Sequence, residues 1–303
     1  MLSVREGSKL KPKERTALLM VLPALIYVVI FTVYPYSQAI YLAFVEYKFT
    51  EPKNIGKFAG LRNFADVVTS TYFSDTLYET FFFTFMCTAT VVAVGIGVSV
   101  LLNQKFRGVG LVRFTVLIPW ALPPAAAGLI WRYMLYGSGW INKFGVMLGI
   151  LKEPIVFLGA GKINQLLYAL VAQTWQQLPF AAILLMAAQQ LIPSDLLDAA
   201  VVDGASWLQR SRHIVLPYIR NVIALVAVWE AIVAFTSYDI LYTFSGGVWG
   251  ILSYYAFAEG FNWMNMGHAA ALSVIIAVFV LIMIGIIFVI IPPKKIYEYS
   301  FVE

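Results

Sequence analysis

At 303 residues, of which 61% are hydrophobic and 12% charged, and with a mean hydropathy of +0.80, the chain carries more apolar surface than a soluble core of its size can hide. Soluble enzymes and soluble binding modules are excluded, and an integral membrane protein is predicted. The formal net charge of +5 needs no nucleic-acid partner, because basic residues beside membrane spans ordinarily set topology.

Five cations open the chain, Arg5, Lys9, Lys11, Lys13 and Arg15, as in the n-region of a signal peptide. The apolar run behind them is too long for one, and no small-x-small cleavage site closes it. An uncleaved first span over 16–36 is therefore expected. Five further apolar runs reach the roughly 20 residues that cross a hydrocarbon core. They lie near 79–102, 113–134, 166–189, 218–243 and 268–291. Their periodicity is helical, and each is about twice the length of a barrel strand. The fold class is all-α: one polytopic transmembrane domain over 1–303 with six membrane helices. The single cysteine, Cys87, falls inside the second, which leaves no intrachain disulfide and nothing to suggest a metal-thiolate site.

Six spans put both termini on one side. With the termini cytoplasmic, that side carries thirteen Lys and Arg and the opposite side eight, the bias that the positive-inside rule requires. The segment 194–217, between spans four and five, then lies in the cytoplasm. Segments 48–75 and 136–165 become outer loops.

Within the spans, Pro119 and the Pro123-Pro124 pair interrupt the third. A broken membrane helix is tolerated where a neighbour or a cavity satisfies the freed carbonyls, which suits the lining of a translocation path. Gln173, Trp175, Gln176 and Gln177 form a polar and aromatic patch in the fourth span. In the fifth, Glu230 sits near the middle, with Ala234, Ser237 and Leu241 continuing its face and Asp239 nearer the outer end. An ionisable group at that depth costs roughly 2.5–3.5 kcal/mol unless it faces protein or water. Aromatic faces beside amides and carboxylates suit a sugar, whose C–H faces stack and whose hydroxyls need partners. The plainer reading of Gln and Glu here is hydrogen bonding between helices. Ala89, Ala93 and Gly97 read as helix packing, and His213 and His268 as isolated residues without a second ligand at metal spacing.

The stretch "LDAAVVDGASWLQRSRHIVLP", Leu197 to Pro217, breaks the apolar pattern. Pro193-Ser194 ends the fourth span and offers a serine N-cap to a short helix from Asp195 to about Asp203. Gly204 is placed to end that helix with a positive φ. Ser206-Trp207-Leu208-Gln209 then matches a capping box, opening a second helix that Pro217 closes. Ala199, Ala200, Gly204 and Ala205 allow another backbone to approach, and Asp198 and Asp203 offer carboxylates to a basic partner. A structured connector between spans is the alternative reading.

The order Asp198-Ala199-Ala200, Gly204, Ile214-x-Leu216-Pro217 resembles the EAA loop of prokaryotic ABC importer permeases, E-A-A-x(3)-G-x(9)-I-x-L-P, at every spacing, with Asp198 where the family usually has Glu. Asp203-Gly204-Ala205-Ser206 is similar to the D-G-A-S version in carbohydrate-uptake permeases of the maltose, trehalose and glycerol-phosphate type. "FAGLRNF", Phe58 to Phe64, resembles their F-x-G-L-x-N-[FY] segment, and "IPWALPPAAAGLIWRYM", Ile118 to Met134, their third span. "FTSYDILYTFSGGVWG", Phe235 to Gly250, is similar to their fifth-span exit, departing from it at Val248 and Thr243.

The resemblance implies a multi-pass permease subunit of the prokaryotic cell membrane, in an importer fed by an extracytoplasmic binding protein. Its coupling loop would dock into an ATPase subunit through Asp198, Ala199, Ala200, Asp203, Gly204, Ala205, Ile214, Leu216 and Pro217. A carbohydrate-type solute would pass Gln173, Trp175, Gln176, Glu230, Ser237 and Asp239. No phosphate-binding loop G-x-x-x-x-G-K-[ST] occurs, since Gly161-Lys162 lacks the first glycine and the Ser or Thr. ATP and Mg would thus belong to the partner, and this chain would bind no cofactor and catalyse nothing. The end "PPKKIYEYSFVE" lacks the glycine-rich extension of one of the two permease types, which favours a second, homologous permease as partner. An ion-coupled secondary carrier is the alternative; no inverted repeat supports it.

Overall fold

The computed structural model describes residues 12–293 except 105, 160 and 249. The N-terminal helix α1 (Pro12–Val28) continues through a π-helical turn (Val29–Val33) into α2 (Tyr34–Ala43). A loop and the short α3 (Arg62–Val68) lead to α4 (Thr71–Leu102), whose first turn is capped by Ser70 accepting from the Phe73 amide. Next come α5 (Val109–Ala121), α6 (Pro124–Leu135), the outlying α7 (Trp140–Met147) and α8 (Lys162–Gln190). The polar segment holds α9 (Ser194–Val202), α10 (Trp207–Arg210), a π-turn (Ser211–Val215) and α11 (Leu216–Tyr218). The chain closes with α12 (Arg220–Phe235), α13 (Asp239–Ser245), α14 (Leu252–Phe257) and α15 (Met266–Ile290).

Leu18–Ala43, Thr71–Leu102, Lys162–Gln190 and Met266–Ile290 are each long and apolar enough to cross a membrane. Two bent pairs bring the number to six if each is one span: Val109–Ala121 with Pro124–Met147, at 98°, and Trp207–Tyr218 with Arg220–Phe235, at 70°. The third and fifth apolar runs are therefore not continuous helices. Leu122 and Pro123 are extended, with ψ near 140°, because proline excludes the α conformation from the residue before it. The fifth run bends at Ile219 and breaks again after Phe235, where Thr236 to Tyr238 leave the helix before α13 begins.

The centre of the fold is the α4–α8 pair, and its two ends are fixed by different chemistry. At one end Lys162 Nζ lies 2.8 Å from Glu79 Oε1. At the other, buried Gln189 donates to Ser99 Oγ at 2.6 Å. Between them a Cβ on Gly95 would stand 3.3 Å from that of Ala181, so glycine lets the backbones close. Start meets start and end meets end: α4 and α8 are parallel. Helix α12 runs against α4, since Phe235 packs on Phe81 near the start of α4. Helix α15 runs with α4, its Leu272 and Ile276 sharing a buried cluster with Phe73 and Phe235. Arg113, near the start of α5, donates to the Leu102 carbonyl at the end of α4, so the return pass starts there.

Three expectations need correction. Ser194 does not cap α9: the helix begins at Ser194 itself behind Pro193, and the Ser194 hydroxyl turns to Asp195 instead. Pro217 does not close the second short helix, because a π-turn precedes it and places Pro217 in the first turn of α11, where its missing N–H costs nothing. Ala89, Ala93 and Gly97 do not pack within this chain. They are exposed, and the close contact belongs to Gly95 on the neighbouring face.

Candidate functional site

The two breaks meet. Pro124, where α6 starts after the Pro123 break, and residues 236–240, where α12 gives way to α13, face Gln173, Gln176 and Gln177 of α8 across a cavity of about 180 Å³. The amides come from one face of α8 because positions i, i+3 and i+4 of a helix align. Gln176 Nε2 donates to the Leu122 carbonyl at 3.3 Å, giving a partner to a group that the Pro123-Pro124 break leaves without a helical one. Ser237 Oγ donates to Gln173 Oε1 at 3.0 Å. Gln177 Nε2 donates to Gln176 Oε1, while Gln177 Oε1 stays buried without a protein partner. The wall is thus rich in uncharged hydrogen-bonding groups, with the exposed Asp239 as its one carboxylate.

Of the six path residues selected from sequence, Gln173, Gln176, Ser237 and Asp239 line this cavity. Trp175 does not. It points to the other side of α8, where its ring meets that of Trp131 edge-on at 6.0 Å within the main buried cluster. Glu230 is 1% exposed and lies behind the cavity wall, with its carboxyl within hydrogen-bonding reach of Gln173. Pro124 of the interrupted third run also lines it, whereas sequence reasoning missed Val233, Thr236, Tyr238 and Ile240 as lining residues.

The far wall is held by close packing of α6 on α13. A Cβ on Gly128 would overlap Thr243 Oγ1 and the Ile240 carbonyl, so only glycine permits this approach. Arg132 reaches from α6 to the Thr243 carbonyl in the last turn of α13, where a cation suits the helix dipole. Its guanidinium lies against Gly246, which has φ +75° and no room for a Cβ.

The 194–217 segment is a second constellation. Helix α9 ends in a Schellman motif: Gly204 N–H donates to Val201 O at 3.0 Å and Ala205 N–H to Ala200 O at 2.9 Å, with Gly204 at φ +76°. Ser206 and Gln209 complete the capping box that starts α10. Leu197, Ile214 and Val215 pack on a cluster of Val91, Leu185, Ile219 and Val226, so the segment is seated on the ends of α4, α8 and α12. Asp198, Ala199, Asp203, Gly204 and Pro217 are exposed; Ala200, Ala205, Ile214 and Leu216 are half-buried. Beside them stand large apolar side chains that the motif does not name: Val201, Val202, Trp207 and Leu208 are all exposed, Val202 at 86%. An open cavity of about 350 Å³ lies at the turn, between Gly204, Arg210 and His213.

At the opposite end, Asn63 of the "FAGLRNF" segment is buried and donates through Nδ2 to Ala43 O at 2.9 Å and Val45 O at 2.8 Å, closing the end of α2. His268 is not isolated. Its Nδ1 lies 3.3 Å from Glu259 Oε2 and its Nε2 3.8 Å from Asp66 Oδ2. Among the described residues no group of three or more His, Cys, Asp or Glu is placed to hold a metal.

Residues 90–294 match the family described as binding-protein-dependent transport system inner membrane component. The chain is 32% identical over 279 residues to the trehalose/maltose transport system permease protein MalF of Thermococcus litoralis, covering 90% of this chain and 93% of that one. It is 30% identical over 274 residues to the trehalose transport system permease protein SugA of Mycobacterium tuberculosis, covering 90% and 87%. In structure it is similar to a chain of a bacterial ABC transporter involved in the import of the acidic polysaccharide alginate, with a TM-score of 0.76, 19% identity, and 92% and 95% of the two chains covered. A helical chain with several membrane-crossing passes, a polar cavity where two of them break, and these relatives over nine-tenths of its length belongs to the family of binding-protein-dependent transport inner membrane components, the permease subunits of ABC importers.

Proposed function

We propose that this chain is one of two membrane-spanning halves of an ATP-driven importer for a carbohydrate-type solute. It crosses the membrane six times with both termini in the cytoplasm, and its 194–217 segment is the coupling loop that docks into a separate ATPase subunit. The carrying observation is the doubly closed α9–Gly204–α10 unit. The end of α9 and the start of α10 are satisfied internally, the segment is seated on three apolar helices, and Val201, Val202, Trp207 and Leu208 are each half or more exposed. Exposed apolar side chains around a rigid turn suit a groove in a partner.

The alternating directions of α4, α5–α6, α8, α12 and α15 support the six-pass reading. Cation bias supports a cytoplasmic position for the loop. A second, homologous permease is supported by Leu18–Ala43, whose most apolar window has 0% of its residues buried in this chain. The amide-lined cavity and the trehalose and maltose relatives support a carbohydrate solute, delivered by an extracytoplasmic binding protein and moved as the ATPases close.

The test is labelled-trehalose uptake by proteoliposomes holding this chain with its ATPase, second permease and binding protein. Uptake is expected to need ATP and to survive collapse of proton and sodium gradients. A cysteine at Ala200 (Ala200→Cys) is expected to crosslink to the ATPase. Uptake driven by an ion gradient, or a position 200 reached only by reagents outside the cell, overturns the reading.

A further inference from the structure

Glu230 is the most buried charged side chain among the described residues, and it does not line the cavity. Its Oε1 has no hydrogen-bond partner in the protein. On α8 the side chain placed to hydrogen-bond with it is Gln173. A carboxyl in this position needs a reason, because an apolar residue would fill the same space between α8 and α12 without the desolvation cost.

The reason lies in the amide it touches. A glutamine side chain can be turned end for end at little steric cost, so its neighbours decide which end points where. A carboxylate only accepts, and even a protonated carboxyl keeps one oxygen that only accepts. Gln173 therefore gives its Nε2 to Glu230, which leaves Oε1 for Ser237. Ser237 must then donate, as it does at 3.0 Å. Its single hydroxyl proton is committed to Gln173, and its lone pairs are what remain for the cavity that Ser237 lines. Remove Glu230 and the amide is free to flip. Ser237 then accepts from Gln173 and turns its proton inward, so the wall changes from acceptor to donor at that point.

We infer that Glu230 is a positioning residue which, acting through Gln173, fixes Ser237 as a hydrogen-bond acceptor for a hydroxyl of the passing solute. The inference rests on the carbohydrate-importer reading. The bland role of Glu230, a polar tie between α8 and α12, predicts lost stability but no link to Ser237.

The experiment is a double-mutant cycle on the complete reconstituted complex, with trehalose and its binding protein saturating, and the uptake rate taken per assembled complex. Glu230→Gln keeps an accepting oxygen and is expected within about twofold of wild type. Glu230→Met and Ser237→Ala are each expected to lower the rate about tenfold, the worth of one hydrogen bond near the top of its usual range. The double variant is expected to be no slower than Ser237→Ala alone. Losses that multiply to roughly a hundredfold, a Glu230→Gln rate as low as that of Glu230→Met, or an undiminished Glu230→Met rate each overturn the inference. Should Glu230→Met fail to assemble, Glu230→Ala takes its place in the same cycle with the same expectations. Wild-type complex that takes up no trehalose on ATP counts against the carbohydrate reading and this inference together. Normal wild-type uptake with multiplying losses counts against this inference alone.

Discussion

Gln176 and Leu122 are joined by a hydrogen bond from side-chain amide to backbone carbonyl, 3.3 Å long, across the break that ends α5. One side chain of α8 thereby makes a bend of 98° affordable inside a membrane, where a free carbonyl finds no water to bond it. Gln176→Leu strips that partner and is expected to destabilise the protein by about 1–3 kcal/mol. The check is the thermal unfolding midpoint of the purified complex in lipid nanodiscs. Gln176→Glu is expected to fare no better, since a carboxylate cannot donate. An unchanged midpoint for both would show that water alone satisfies Leu122.

Gly128 governs how closely α6 approaches α13. Alanine there drives a methyl group into Thr243 Oγ1 and into the Ile240 carbonyl, and the second obstacle is backbone that no side-chain rotation removes. Gly128→Ala is expected to cost about 1–3 kcal/mol as an overpacked contact. Gly97→Ala is the control: nothing lies within 4 Å of its would-be Cβ, so its midpoint should stay at or above that of wild type. Equal effects from the two substitutions would contradict the packing described here.

Asn63 holds two carbonyls at the end of α2, and Gly267 of α15 packs against the same Asn63 and Val45 groups. Asn63→Ala leaves both carbonyls without their donor. The expected result is local opening of the 44–61 loop, read as faster tryptic cleavage at exposed Lys53 and Lys57, with a smaller change in global unfolding. Asn63→Asp should behave like alanine or worse, because it sets a carboxylate against two carbonyl oxygens.

The apolar runs were legible because about 20 consecutive apolar residues have few other uses. The Gly204 turn and the Ser206 box were legible because backbone geometry dictates those residue types. The bends were not. Pro123-Pro124 announces a break but not its angle, and the break at Thr236 to Tyr238 carries neither glycine nor proline. It holds because Ser237 and its neighbours face a cavity and α8 amides, a tertiary fact. Residue type alone puts Trp175 on the path, but helical spacing sets it apart: Gln173, Gln176 and Gln177 align, and Trp175, two positions from Gln173, points away. Val201, Val202, Trp207 and Leu208 escaped notice for the opposite reason, since in a chain that is 61% hydrophobic an exposed apolar cluster has no contrast.

Those four residues separate shape from contact in the segment proposed to dock on the ATPase. Gly204→Ala places a Cβ at φ +76° and is expected to cost about 1–2 kcal/mol locally, with no steric clash, since nothing lies within 4 Å. Ser206→Ala removes the cap of α10 at a cost of about 0.5–2 kcal/mol. The segment is exposed, so both should leave the unfolding midpoint of the complex nearly unchanged while lowering ATPase stimulation by solute-loaded binding protein severalfold. Val202→Glu keeps the backbone intact and instead charges the exposed apolar face; it is expected to abolish stimulation. If the two backbone variants couple normally and only Val202→Glu fails, the turn contributes a docking surface and its rigidity is incidental. If all three fail alike, partner and membrane helices move together because the turn does not yield.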